Sequence, residues 1–151
     1  MKNKKIAILG IGNRLRGDDA VGSIIAENLA SRGMTSFDSS TVPENFTGAL
    51  RKAAPNTLII VDACSMDIKP GEFRKIPIHK FESNNSFNSH SPEIVELINY
   101  LHEFIPEILF IGIEPYSMEL SDRLSQEVKS GMKTLEEIIF SKNFDSIKTA
   151  E

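Results

Sequence analysis

The sequence predicts an α/β fold: a single domain on a twisted, mainly parallel sheet of about five strands, one of them antiparallel, with helices on both faces. Three observations predict it. Short β-branched runs alternate with stretches of helical periodicity, the pattern of strand–helix–strand units. The runs at 5–12 and 58–62 are apolar almost throughout, as strands covered on both faces are. The length of 151 residues fits one domain. At that size folding buries roughly two-thirds of the unfolded surface, with no need of a disulfide or structural metal. The domain is taken as residues 1–151, and its polar tail, 141–151, is expected to fray.

Residues 5–12 form the first strand. A helix starts near Asp18; Val21, Ile24, Ile25 and Leu29 recur at helical spacing, and Gly33 stops it. Residues 37–42 are a candidate second strand. Residues 43–54 read as a short helix, with Pro43 tolerated only in its first turn. Residues 58–62 form a central strand. Lys69-Pro70-Gly71-Glu72 is a turn signal, and 72–78 reads as a further strand. The link between these two strands, about nine residues, is short for a parallel crossover, so the pair is expected to be antiparallel.

Residues 79–89 read as a polar loop rich in Asn and Ser. Ser91-Pro92-Glu93 opens a helix, with Ser91 as cap, Pro92 in the first position and Glu93 at the positive end. Its buried stripe is Ile94, Ile98, Leu101 and Ile105. Residues 108–113 form the next strand. Ser125-Gln126-Glu127 opens the last helix, with Val128, Met132, Leu135 and Ile139 facing inward.

Composition narrows the function classes. Cys64 is the single cysteine, so no disulfide forms within the chain and a reducing compartment, the cytoplasm, is expected. The formal net charge is −4 and the basic residues are scattered, which argues against a nucleic-acid partner. The apolar stretch 6–11 is too short for a signal peptide, and no run of about 18 apolar residues exists to insert in a membrane. A monomer is the expectation.

The first strand–helix turn is glycine-rich: Gly10-Ile11-Gly12-Asn13-Arg14-Leu15-Arg16-Gly17. Such turns cradle phosphates at helix starts. Here the spacing fails. A dinucleotide loop from Gly10 and Gly12 needs glycine where Leu15 stands. A phosphate loop from Gly12 to Gly17 needs Lys and Ser or Thr next, and the chain has Asp18 and Asp19. Two carboxylates repel a phosphate; they suit a cation, or they complement the helix dipole.

Asp62 ends a very apolar strand, and the carboxyl ends of strands are where open α/β sheets place their chemistry. His90 precedes the helix opened at Ser91. If the strand after that helix is parallel to the first, the helix amino end lies at the sheet's carboxyl edge. The preceding loop has the reach, since about 12 extended residues span up to about 40 Å. Asp19, Asp62 and His90 are therefore expected to share one rim. Two carboxylates and an imidazole make a three-ligand set with an open position, suited to zinc, nickel, cobalt or manganese. His79 is expected on the opposite rim and His102 on a solvated helix face. Cys64 lies close enough in sequence to bring a thiol near the site.

The segment from Ile8 to Asn13, followed by Gly17-Asp18-Asp19-Ala20-Val21-Gly22, resembles the opening motif of the nickel–iron hydrogenase maturation endopeptidases. Further similar segments follow in family order: Val42-Pro43-Glu44-Asn45, Ile59-Ile60-Val61-Asp62-Ala63, Pro70-Gly71-Glu72, Ser89-His90, Ile111-Gly112-Ile113-Glu114-Pro115 and Leu124-Ser125-Gln126-Glu127-Val128. The likeness covers roughly residues 5–140, and its ordered set is more specific than any one motif. It implies an endopeptidase that removes the C-terminal extension of a hydrogenase large-subunit precursor, its partner, after nickel insertion. The resemblance implies recognition of substrate-bound nickel by Asp19, Asp62 and His90, with zinc or cadmium as possible substitutes. The chain departs from the family at Glu114, where many relatives carry glutamine, at Ala20, where many carry glycine, and at Ser91-Pro92-Glu93, where more apolar residues are usual.

Two mechanisms fit these residues. The ion polarises the scissile carbonyl and acidifies a bound water, or it only docks the substrate while a carboxylate acts as base, with Asp18 as a spare. A non-catalytic nickel-binding maturation chaperone is the alternative function.

Overall fold

The computed structural model describes residues 4–82 and 91–151. Its sheet has five strands: β1 (Ile6–Gly10), β2 (Thr35–Asp38), β3 (Thr57–Ala63), β4 (Phe73–Lys75) and β5 (Glu107–Ile113). They lie in the order β2-β1-β3-β5-β4. The first four in that order run parallel, and β4 runs antiparallel on the edge. The helices are α1 (Val21–Ser31), α2 (Thr47–Ala53), α3 (His79–Glu82), α4 (Ser91–Leu101) and α5 (Gln126–Ser141). This is the fold class the sequence predicts.

Strand alternation divides the core in two. Leu58, Ile60 and Cys64 of the β3 segment share one cluster with Leu50 of α2 and with Ile94, Leu97, Ile98 and Leu101 of α4. Ile59, Val61 and Ala63 face the other way, against Val21, Ile25 and Leu29 of α1 and Val128, Met132, Leu135 and Ile139 of α5. Both expected helical stripes are buried as read. Layers on both faces explain why all seven residues of β3 are buried.

The connection after β1 runs behind the sheet through α1, and the one after β3 returns in front through α4. The carboxyl ends of β1 and β3 therefore flank a topological switch point, where open α/β sheets form a crevice. Two glycines let α1 close on this point. A Cβ on Gly22 would lie 2.2 Å from the Ile11 carbonyl oxygen and 2.4 Å from that of Val61. A Cβ on Gly10 would lie 2.1 Å from the Gly22 oxygen. The glycine run serves backbone contact between helix and strand, not phosphate binding.

Several expectations are corrected. The first helix opens with a 3-10 turn, Gly17–Ala20, before α1. The second strand lies earlier than 37–42, because Ser39 turns back and hydrogen-bonds to the Gly10 carbonyl through both its N–H (2.9 Å) and its hydroxyl (2.8 Å). The fourth strand is antiparallel but pairs with β5, not β3, since β1 and β5 already occupy both edges of β3. It is also shorter than 72–78, because Pro77 has no N–H to continue a ladder. Residues 79–82 form α3 rather than loop, and His79 is an exposed residue in it.

The tail does not fray. Lys75 donates to the Lys148 carbonyl and accepts from the Ala150 N–H, both at 2.8 Å, and Ile147 is buried. The tail thus covers the open edge of β4, which a sheet otherwise leaves unpaired.

Gly22→Ala is expected to destabilise the fold by at least about 1–3 kcal/mol, because both opposing atoms are backbone. Gly48→Ala in α2 meets nothing within 4 Å and is expected to stabilise by about 0.5–1 kcal/mol. Thermal unfolding of the two variants checks both signs.

Candidate active site

A cleft of about 580 Å³ opens at the switch point. Ile11 and Gly12 line it below; the turn Pro43–Phe46 with α2 forms one wall, and the first turns of α4 form the other. Asp19 and Asp62 both line it. The structure thus brings these two sequence-predicted residues together. His90 lies outside the described residues. Among the described residues no group of three or more His, Cys, Asp or Glu is placed to hold a metal ion.

Asp62 is the unusual member. Strand alternation turns it to the α2–α4 face with Leu58 and Ile60, and only 1% of it is exposed. Its register partner on β5 is Gly112, which offers no side chain. The Ala63 N–H donates to the carboxylate, but Oδ2 is buried with no hydrogen-bond partner among the described residues. Burial, and then the negative charge of Asp19, hold its carboxyl well above the usual carboxylate range. An orphaned buried oxygen beside a second acid is a site that a cation would satisfy.

Asp19 is partly buried at the end of a tight turn. Its N–H donates to the Arg16 carbonyl and its carbonyl accepts from the Asn13 N–H, both at 3.0 Å. The close packing of Gly12 under the Asp19 carbonyl fixes that turn over the cleft.

Asp18 is not a spare base. It is 1% exposed and its carboxylate is fully engaged. Oδ2 accepts from the Tyr116 N–H (2.8 Å), the Ser117 N–H (3.1 Å) and the Ser125 hydroxyl (2.8 Å), and Oδ1 accepts from the Ser125 N–H (2.7 Å). Ser125 is the N-cap of α5, and its hydroxyl accepts in turn from the Val128 N–H at 3.3 Å. The charge of Asp18 therefore sits at the positive end of α5 and ties the loop after β5 to the turn after β1. Adjacent acids with opposite environments were indistinguishable in the sequence, because the partners of Asp18 lie about a hundred residues away.

Cys64 is also reassigned. It is 1% exposed and packs in the core cluster with Phe110 and Ile76, so it brings no thiol to the cleft. His102 is exposed, as read. Glu114 is 9% exposed and accepts from the Met66 N–H at 2.6 Å, which secures the loop that leaves β3. A glutamine oxygen could accept the same bond.

Sequence reasoning passed over Glu44, Glu93, Glu96 and Tyr100, which all line the cleft. The last three, with Leu97, recur at helical spacing beside the buried stripe of α4, which was the available signal. Glu93 was read only as a complement to the helix dipole.

A doubly wound α/β domain with an acidic cleft at its switch point is the class that fold and site define. The family model described as "HycI: Hydrogenase maturation protease" matches residues 20–142. The chain is 32% identical over 131 residues to the hydrogenase 3 maturation protease of Escherichia coli K12, spanning 85% of this chain and 84% of that protein. It superposes on the crystal structure of the hydrogenase 3 maturation protease with a TM-score of 0.86 and 27% identity, covering 98% of this chain and 97% of that one. A nickel–iron hydrogenase maturation protease, HycI, from Thermococcus kodakarensis gives 0.80 and 27%, covering 91% of each. The chain belongs to the hydrogenase maturation protease family. Among the described residues no helix is long and apolar enough to cross a membrane.

Two predictions follow from the paired acids. The raised carboxyl of Asp62 makes the folded state hold a proton that the unfolded chain releases near 3.8. Stability therefore falls as pH rises from there through the folded value. Asp62→Asn removes that charge, so with a chelator present its Tm should exceed that of the parent at pH 7–8, and the gap should narrow toward pH 4. Asp18→Ala leaves several donors without their acceptor and should cost on the order of 3 kcal/mol in urea unfolding.

Proposed function

We propose that this chain is an endopeptidase that removes the C-terminal extension of a nickel–iron hydrogenase large-subunit precursor after nickel has been inserted. The substrate-bound nickel is recognised by Asp19, Asp62 and His90. The observation that carries this reading is the buried Asp62 oxygen, without a hydrogen-bond partner among the described residues, beside Asp19 in the cleft. Membership of the family supports the peptidase class.

His90 directly precedes Ser91, the first residue of α4, and the first turns of that helix line the cleft. Two carboxylates and one imidazole leave coordination positions open for ligands that arrive with the precursor. Zinc or cadmium would be held by the same donors. A divalent ion there supplies Lewis acidity toward the scissile carbonyl and a more acidic bound water.

The residues of the chain do the rest. Asp62, buried and close to Asp19, is ill-placed as a charged group until a cation is present. Asp19, partly exposed on the cleft, is the carboxylate able to accept a proton from an attacking water. The turn that holds Asp19 is fixed from below by Gly12 and from behind by Asp18. A precursor without nickel would lack the ion that completes the site, so cleavage follows insertion. The enzyme is inferred to work as a cytoplasmic monomer.

Incubation with nickel-loaded and nickel-free precursor, followed by mass measurement, tests the reading. Release of one C-terminal peptide from the loaded precursor alone is expected. Asp19→Asn, Asp62→Asn and His90→Ala should each lower processing at least about 100-fold while remaining folded. Undiminished processing by all three variants would overturn it.

A further inference from the structure

Among the described residues seven large apolar side chains are exposed, and four of them lie together outside the cleft: Leu15 (69%), Tyr116 (65%), Met118 (38%) and Leu120 (79%). Of the other three, Tyr100 lines the cleft and Val42 directly precedes its wall at Pro43. Phe140 is covered by the Arg32 guanidinium, 3.8 Å from its ring centre. Single exposed leucines are ordinary on a protein surface, but a group of large apolar side chains on one feature marks an interaction surface.

Leu15 stands in the turn after β1, and the other three stand in the loop after β5. Backbone hydrogen bonds join the two segments. The Ser121 N–H donates to the Leu15 carbonyl at 3.0 Å, and the Gly17 and Asp18 N–H groups donate to the Ser121 and Ser117 carbonyls, both at 2.9 Å. The Leu15 N–H donates to the Asn13 side-chain oxygen at 3.0 Å. Within the second loop the Ser117 hydroxyl accepts from the Glu119 N–H (3.3 Å) and the Ser121 hydroxyl from the Arg123 N–H (3.1 Å). The buried Asp18 carboxylate grips Tyr116 and Ser117 from within. Two surface loops are thus one preorganised knob, and a partner that docks on it pays little for ordering them.

We propose that Leu15, Tyr116, Met118 and Leu120 dock an apolar surface on the folded body of the protein substrate, apart from the peptide that enters the cleft. That this substrate is the hydrogenase precursor rests on the function proposed above. Continuity with the cleft argues for a substrate as the occupant. The Asp19 N–H donates to the Arg16 carbonyl and Asp19 lines the cleft, so the turn that bears Leu15 also bears Asp19. A protein that delivers a peptide to Asp19 meets this knob beside it. The exposed charges around the knob, Arg16, Glu119, Asp122 and Arg123, are two of each sign, so apolar area rather than net charge selects the partner. A stable dimer needs about 800 Å² and roughly 20–30 residues from each partner. Four side chains fall short of that, and suit an accessory contact that acts together with a cleft. The four are docking residues; they touch no reacting atom.

Titration of the full chain with nickel-free precursor, followed by NMR and calorimetry, tests this without requiring any cleavage. Binding is expected to broaden the amide signals of Leu15, Gly17, Met118 and Leu120. The double variant Leu15→Gln, Leu120→Gln should bind about tenfold or more weakly, and Leu15→Met, Leu120→Met should stay within about threefold of the parent. Both variants should keep the parent's Tm to within a few degrees, because the altered side chains are exposed. Three results would overturn the proposal: no binding of the precursor by the parent, equal binding by the glutamine variant, or broadening confined to other parts of the molecule. So would a parent dimer in sedimentation that the glutamine variant abolishes, since a second copy would then cover the knob. Precursor that docks on the knob but is never cleaved, even when nickel-loaded, would sink the endopeptidase reading and leave the docking surface standing. Nickel-dependent cleavage with unchanged affinity in the glutamine variant would do the reverse.

Discussion

The space where Gly22 would carry a side chain is occupied by the carbonyl oxygens of Ile11 and Val61. That contact brings the start of α1 onto the ends of β1 and β3 with no side-chain layer between them. The turn between Gly12 and Ala20 must then fold up and over the carboxyl edge of the sheet, since it cannot pass beneath the helix. Asp18 and Asp19 sit in that turn. The Ile11 N–H donates to the Val61 carbonyl at 2.9 Å, so the strand pairing continues to the floor of the cleft. The position of one acid in the cleft is thus set by two glycines and a strand ladder.

Consecutive aspartates then take different work because their surroundings differ. Asp18 points into protein and meets main-chain donors from a loop that has come across the sheet edge. Its charge is balanced by those donors and by the start of α5. Asp19, one residue on, points to the cleft. The first holds the second in place: the backbone of the 3-10 turn is anchored through Asp18 to a helix on the far face of the sheet. Gly17 makes the turn possible, with a φ of +56° in the left-handed region. A Cβ there would also lie 2.9 Å from the Ser117 carbonyl oxygen, within the same loop that Asp18 grips.

Much of this was legible in the sequence where period and burial coincide. The stripes of α4 and α5 follow from spacing alone, and the apolar run at 58–61 marks β3 as a strand covered on both faces. The convergence of Asp19 and Asp62 followed from topology, because residues just past parallel strands share an edge. What was not legible depends on partners distant in sequence. Nothing local distinguishes Asp18 from Asp19. Link length gave the direction of β4 but not its neighbour, because strand order is fixed by how β1 and β5 compete for β3. The tail looked polar and loose, yet Ile147 and two backbone hydrogen bonds hold it to β4. Cys64 is close to Asp62 in sequence and on the same side of the sheet, but two residues further along the chain it is buried in the same core cluster as Ile76 and Phe110 and does not line the cleft.

The position of Asp62 joins these threads. A fully buried acid with an oxygen unpartnered among the described residues, next to another acid, destabilises the domain at neutral pH. Packing alone would place an apolar residue there, as it does at Leu58 and Ile60 on the same face. On the proposed function the destabilisation has a use. The arrangement that disfavours the charged empty site is the one that favours a divalent ion, so affinity for the ion and the response to its arrival have one electrostatic origin. Exposed carboxylates could also bind an ion, but they would be solvated without it, and occupancy would change little in the protein. Burial makes the difference large. The buried acid therefore suits recognition of a cation better than an exposed one would.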